Sequence, residues 1–457
     1  MRETMSGQSH SISEPQQPTL RKVLGVSDGI ALLIGITIGA GIYSTPQIIA
    51  GYLGSFSVII AFWILIGVFV FISSLIYAEL GTRLPNTGGE YVYISQCFGP
   101  FAGFMFGWAQ LFIVRTSAAA GLAIITADYL SYFVKLSGFA HTAVALSVLV
   151  LLGILNYVGI KWASVFQKLS SVLKVGGLFA LVIIGLILMQ SYENLLSTKA
   201  APTGTLDPVG NLVAALMLIF FAYTGWDRVG YVAGEMKNPR RVIPLSLLIG
   251  IGIIIVIYGL TNMIYHRTLG MEGMRESAVV ASDVASQLIG PIGAVFVALL
   301  VIISTTGSIN GTMMAATRVY YAMAKDGLFF KWLDFVHPKF RTPSRAILAH
   351  CFWAAAILLI RRTFETIAAG MVFAILIFLI VNTLALFKLR KEEKDDKGVF
   401  RVPFYPFLPG LFLAGILALL ILRAFFEWEK SLVDLAFIAA GLPFSLVWCR
   451  KARIIDH

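Results

Sequence analysis

Two short segments carry a pattern that can hold a charged solute without a charged side chain. The first reads Gly35-Ile-Thr-Ile-Gly-Ala-Gly-Ile-Tyr-Ser-Thr-Pro46. Each glycine costs a helix about 1 kcal/mol relative to alanine, and the proline adds to that. The second reads Phe220-Phe-Ala-Tyr-Thr-Gly-Trp-Asp-Arg-Val229, where Gly225 precedes an acidic and a basic residue. A helix interrupted at such a place frees backbone NH and CO groups. The N-terminus of a half-helix favours a carboxylate, and freed carbonyls accept an ammonium. An α-amino acid carries both groups. Glycines in membrane helices also serve close packing alone, and that remains the competing reading of each segment taken singly.

The other candidate groups are charges inside apolar runs. Lys174 follows Ser170-Ser-Val-Leu, where a buried ammonium is costly and marks function unless it snorkels to the near interface. Asp227 stands just past the second interruption, open to titration during transport or to a structural ion pair, most simply with Arg228. Arg115 falls near the middle of its run by rise per residue, and a partner that stabilises the bundle is expected there. Glu79 and Glu235 are expected in ion pairs with Arg or Lys. His266 and His350 read as lone, hydrogen-bonded polar residues near helix ends. Trp108, Trp162, Trp332 and Trp428 fall near proposed interfaces, as in an aromatic belt. No metal cluster, phosphate loop or Ser–His–Asp grouping is legible, so no cofactor and no enzyme activity are expected.

These residues must be positioned by elements that cross a membrane. Of 457 residues, 58% are hydrophobic and 13% charged, against about 25% charged in a typical soluble domain. The mean hydropathy is +0.85. About 20 mainly apolar residues span the hydrocarbon. The chain divides into twelve such runs: 26–52, 56–80, 102–134, 142–160, 165–190, 208–232, 242–265, 290–322, 344–361, 365–389, 405–424 and 430–449. None alternates as a barrel strand would, so an all-α polytopic membrane protein is expected. Residues 1–23 read as a disordered cytosolic tail and 451–457 as a second one.

Twelve spans put both termini on one side. Of the 35 Lys and Arg, 23 fall on that side and 8 on the other, with Arg115, Lys174, Arg228 and Arg318 in or near spans. The positive-inside rule then makes the termini cytoplasmic and points to the plasma membrane. This placement accounts for the net charge of +11 without nucleic acid. The run Lys388–Lys397 reads as a solvated loop with minor anionic-lipid contact. Cys97, Cys351 and Cys449 lie outside the expected extracellular loops, so no disulfide is expected.

The two interrupted segments open equivalent halves, 24–190 (helices one to five) and 208–390 (six to ten), with helices eleven and twelve in 404–450. Five is odd, so the second half is inverted relative to the first, and paired interruptions in inverted halves point to a midplane substrate site.

At these residues the chain resembles the amino acid–polyamine–organocation superfamily, and within it the L-type amino acid transporters. Gly39-Ala-Gly-Ile-Tyr43 resembles the family's stretch in the first helix, and Phe221-Ala-Tyr-Thr-Gly-Trp-Asp227 that of the sixth. Glu235-Met-Lys-Asn-Pro-Arg-Arg-Val-Ile-Pro244 and Leu84-Pro-Asn-Thr-Gly-Gly-Glu-Tyr91 resemble its loops after helices six and two. Gly307-Ser-Ile-Asn-Gly311, Arg318 and Asp326-Gly-Leu328 resemble the eighth helix and its exit, and Ile113-Val-Arg-Thr-Ser117 part of the third. The resemblance covers about Leu24 to Arg390.

It implies a LeuT-type fold with a 5+5 inverted repeat and broken helices 1 and 6, working by alternating access. It places the substrate carboxylate at the NH groups of Gly39, Ala40 and Gly41, and the ammonium at carbonyls of Thr37, Phe221, Ala222 and Thr224. Phe221 becomes an aromatic gate, and Val114 and Ala118 become side-chain pocket walls from which Arg115 turns away. Lys174 takes the place of a coupling cation and holds the first helix against the eighth near Ser308, which implies sodium independence. Relatives that pair with a heavy subunit carry a Cys between helices three and four. Lys135-Leu-Ser-Gly-Phe-Ala-His141 has none, so no covalently linked heavy subunit is expected.

The expected function is secondary transport of small to medium neutral L-amino acids by sodium-independent exchange or uniport. A proton-coupled symporter, an amine or polyamine permease and a non-transporting nutrient sensor are the alternatives. The expected partners are the amino acid and the lipid bilayer.

Overall fold

Apolar runs of this length form helices because a helix satisfies its own backbone in lipid. The computed structural model describes residues 22–86, 88–188, 207–325, 327–392 and 398–446. Residues 1–21 and 451–457 of the expected tails, with Thr87, Lys199, Asp326 and Cys449, lie outside the described residues. Among those described, eleven helices are long and apolar enough to cross a membrane. The chain is therefore a polytopic, nearly all-helical membrane protein. The expected twelfth span, 430–449, opens as a helix at Trp428–Ala439, is helical again over 441–446, and then leaves the described residues.

The first span is three pieces. Helix α1 (Val26–Thr37) starts where the Asp28 carboxylate accepts the Gly25 NH at 2.8 Å. It stops because Ile38 turns extended, at φ −69° and ψ 100°. Helix α2 (Gly41–Ser44) follows, and Pro46 opens α3 (Pro46–Tyr52). Then come α4 (Phe56–Arg83), α5 (Glu90–Ala109), α6 (Arg115–Leu130), α7 (Phe139–Val158) and α8 (Ile160–Leu188).

Helix α9 (Pro208–Ala222) is capped by the Asp207 carboxylate, which accepts the NH groups of Val209 and Gly210. It ends in a turn at Gly225, whose φ of +112° suits glycine. A 3-10 segment, Trp226–Glu235, continues the span. Helices α10 (Pro239–Glu276), α11 (Val280–Ile289), α12 (Pro291–Lys325), α13 (Ser344–Arg361), α14 (Phe364–Glu392), α15 (Phe407–Phe426) and α16 (Trp428–Ala439) complete the chain. Both expected interruptions are present.

The two broken spans are tied at their outer ends. The NH groups of Val23 and Leu24 donate to the Glu235 carbonyl, and Lys237 NH donates to the Leu24 carbonyl at 3.0 Å. The start of α1 and the end of the 3-10 segment therefore lie together on one side of the membrane.

Between α5 and α6 the chain forms a π segment, Gln110–Val114. Its wider turn disturbs the normal backbone pairing. Side chains take three of the carbonyls there. Tyr320 donates to Gln110 at 3.1 Å, Thr116 to Leu111 at 2.7 Å and Trp353 to Phe112 at 2.7 Å.

Several expected side-chain environments are corrected. Trp108 is buried, not interfacial: its indole NH donates to the Phe437 carbonyl at 2.9 Å and its ring lies among Phe104, Phe112, Phe330 and Phe444. Trp162, Trp332 and Trp428 are exposed. Glu79 pairs with Arg83 and Arg390 and accepts the Val402 NH at 2.8 Å. Glu235 makes no ion pair among the described residues; its backbone carbonyl joins the two spans. His350 is fully buried beside the Tyr320 ring, and neither ring nitrogen has a hydrogen-bond partner among the described residues. The Tyr320 hydroxyl that faces this region is spent on Gln110.

Candidate functional site

The two breaks meet face to face. A Cβ at Gly41 would stand 2.6 Å from the Ala222 Cα, so only glycine lets α2 approach the end of α9 this closely. A Cβ at Gly225 would meet Ile36 on α1 at 3.0 Å. The ends of α1 and α9 present carbonyls, and the start of α2 presents NH groups.

Below the breaks lies a cavity of about 1550 Å³. Thr37, Gly39, Ala40, Gly41, Phe221, Ala222 and Thr224 line it at the breaks, and Val114 and Ala118 line it from the third span. Lys174, Ser308 and Asp227 line it too. The twelve residues expected to bind substrate or couple its transport thus all line one cavity. Its wall runs along α1 to Ser27 and along the 3-10 segment to Glu235, so its mouth lies on the side where α1 begins. On the other side of the breaks the packing closes. The Phe221 ring meets Phe364 edge to face at 5.1 Å, and the Tyr129 hydroxyl donates to the Tyr43 carbonyl at 2.7 Å.

Some of the freed carbonyls already have donors. The Tyr258 hydroxyl stands 3.0 Å from both the Thr37 and the Ala222 carbonyl oxygens. It has one proton, so it satisfies one carbonyl at a time. Thr224 turns its hydroxyl onto the Phe221 carbonyl at 2.7 Å. Tyr258 was not legible in the sequence, where it sits in an uninterrupted apolar run with no local signal. The Thr37 hydroxyl is buried at the same level and has no hydrogen-bond partner among the described residues.

Lys174 is buried, at 1% exposure, and does not snorkel. Its ammonium donates to the Ser308 hydroxyl at 3.2 Å, joining α8 to α12. Its own carbonyl accepts the Tyr43 hydroxyl at 3.3 Å, so the same residue touches the far part of the first span.

Arg115 does not turn away from Val114 and Ala118: all three line the cavity. At roughly 100° per residue Arg115 stands only about 60° around the helix from Ala118, so a cavity this wide takes in both side chains. Arg115 lies 4.0 Å from Asp227, and Arg228 Nε lies 3.9 Å from it. Beside them Glu90, buried in the cavity wall, accepts the Tyr77 and Tyr231 hydroxyls and the Asn382 amide. Glu90 was not singled out in the sequence, where it reads only as a loop residue.

The amino acid permease family model matches residues 24–440. The serine/threonine exchanger SteT of Bacillus subtilis is 29% identical, over 87% of this chain and 90% of that protein. The human b(0,+)-type amino acid transporter 1 is 27% identical, over 94% of this chain and 88% of its own. The human cystine/glutamate transporter is 26% identical, over 98% and 91%.

Proposed function

The chain belongs to the amino acid permease family, and from that premise we propose that it exchanges small to medium neutral L-amino acids across the plasma membrane without sodium. That it is an amino acid transporter, not an enzyme, follows from the family and the relatives. The substrate class and the site residues are our reading.

In this reading the substrate carboxylate meets the NH groups of Gly39, Ala40 and Gly41. The ammonium meets the carbonyls of Thr37, Phe221, Ala222 and Thr224, and displaces or shares the Tyr258 proton. Phe221 closes over it, and Val114 and Ala118 bound the side chain. Lys174 holds α8 to α12 where a coupling cation would otherwise sit. Residues 24–190 and 208–390 act as two inverted halves. Both termini are cytoplasmic, so the cavity opens inward. No heavy subunit is attached covalently, because Lys135–His141 lacks the cysteine.

The observation that carries this reading is the meeting of two helix breaks at the closed end of a cavity. Peptide dipoles there offer donors and acceptors to a zwitterion without a fixed charge to bias it. Exchange is favoured over uniport because the Bacillus relative is named as an exchanger.

The test is uptake into proteoliposomes with and without internal amino acid, against neutral, basic and acidic competitors. Uptake should require internal amino acid, ignore sodium and be inhibited by neutral competitors. Uptake that tracks a pH gradient into empty vesicles would move the assignment to proton symport, and a sodium requirement would contradict the role of Lys174.

A further inference from the structure

Among the described residues, two kinds of ion pair with largely buried side chains can be compared. Arg390 with Glu79 and Arg423 with Asp434 close to 2.7 Å. Their carboxylates are fully buried, and neither pair lines the cavity. Arg115, Asp227 and Arg228 differ. They stand 4.0 and 3.9 Å apart, beyond hydrogen-bond length, with side chains 10–20% exposed. All three face the cavity.

We propose that Arg115 and Asp227 form a second amino-acid subsite, which takes the zwitterion as it leaves the helix breaks for the cavity mouth. The proposal rests on the transporter reading above. Asp227 lies two residues past Gly225, on the segment that runs to Glu235 at the mouth. A substrate moving out therefore passes it first.

The chemistry is matched on both sides. A planar guanidinium suits a carboxylate, and Arg115 lines the cavity. The Asp227 carboxylate accepts backbone NH groups at Gly225 and Asp227 but contacts neither guanidinium, and a carboxylate's remaining lone pairs can take an ammonium. Glu90 cannot serve that end, because Tyr77, Tyr231 and Asn382 occupy it. The open pair thus presents a cation and an anion side by side to the cavity, and a zwitterion lies along it with its carboxylate at Arg115 and its ammonium at Asp227. Space permits it. A cavity of about 1550 Å³ exceeds the roughly 300–1,000 Å³ of common ligand sites, so one amino acid at the breaks leaves room for another.

The experiment uses the full-length protein in detergent. The probe is the tritiated form of whichever of the twenty common amino acids exchanges fastest in preloaded liposomes. Equilibrium dialysis should find two equivalents bound per chain, the second about tenfold weaker or more. The double variant Arg115→Gln/Asp227→Asn removes both charges together, so neither is left buried alone. It should bind one equivalent and exchange about tenfold more slowly, with little change in half-saturation. If that variant does not fold, Arg115→Lys should weaken the second equivalent several-fold and leave the first unchanged. Saturation of the unaltered protein at one equivalent, or two equivalents kept by the double variant, overturns the subsite. Failure of the underlying reading looks different: no amino acid exchanges in preloaded liposomes, and the subsite falls with it.

Discussion

Tyr258 and Lys174 show two different tasks for single buried side chains, holding an interrupted membrane helix together and linking helices for turnover. An unpaired carbonyl at this depth costs about 1–3 kcal/mol. Tyr258 spreads one proton over the Thr37 and Ala222 carbonyls. Tyr258→Phe should therefore lower the melting temperature in detergent; an unchanged melting curve would show that the hydroxyl is dispensable. Lys174 makes the opposite case. Its burial is costly and its ammonium is held by the Ser308 hydroxyl rather than by a carboxylate, so stability does not require it. Lys174→Ala should keep a normal elution profile and melting point while exchange falls at least about tenfold, the rate loss of an arrangement needed for turnover and not for folding. Normal flux in that variant would reject the role given to Lys174.

At the scale of elements, glycines within a few residues of one another do different jobs. Gly35 lies inside α1, and a Cβ there meets nothing within 4 Å. Gly41 touches the Ala222 backbone across the breaks. Gly35→Ala should thus be tolerated, adding up to about 1 kcal/mol of helix preference. Gly41→Ala should force α2 and α9 apart and abolish amino-acid binding. Parallel dialysis of the two variants checks this, and equal binding would refute the close approach. The breaks were legible because glycine, proline and a charge pair contradict a spanning helix in plain sequence. The π segment at 110–114 was not. Nothing in Gln-Leu-Phe-Ile-Val signals one, and its carbonyls are taken by Tyr320, Thr116 and Trp353. Tyr258 and Glu90 were likewise hidden, since their partners lie far away in the chain.

Across the whole molecule, hydropathy made the spanning helices legible, while the closures between them depend on tertiary packing. Glu79 on α4 holds Arg390 on α14 and the NH of Val402 beyond it, fixing the chain that leads to α15. Arg390→Ala should destabilise the protein by about 3 kcal/mol, the cost of breaking a buried pair, read from its unfolding midpoint. Packing also decides that the cavity is open on the side of Ser27 and Glu235 and shut at Phe221 and Phe364. A cysteine replacing Ala31, which lines the open part, should react with a membrane-impermeant thiol reagent from the side of the termini only. Reaction from the other side alone would reverse the orientation. The most direct measurement of all is an experimental structure with the exchanged amino acid bound. Its carboxylate should lie at Gly39–Gly41 and its ammonium at the carbonyls of Thr37 and Phe221–Thr224. Density for the amino acid elsewhere, with both breaks vacant, would contradict a site built from the two helix breaks.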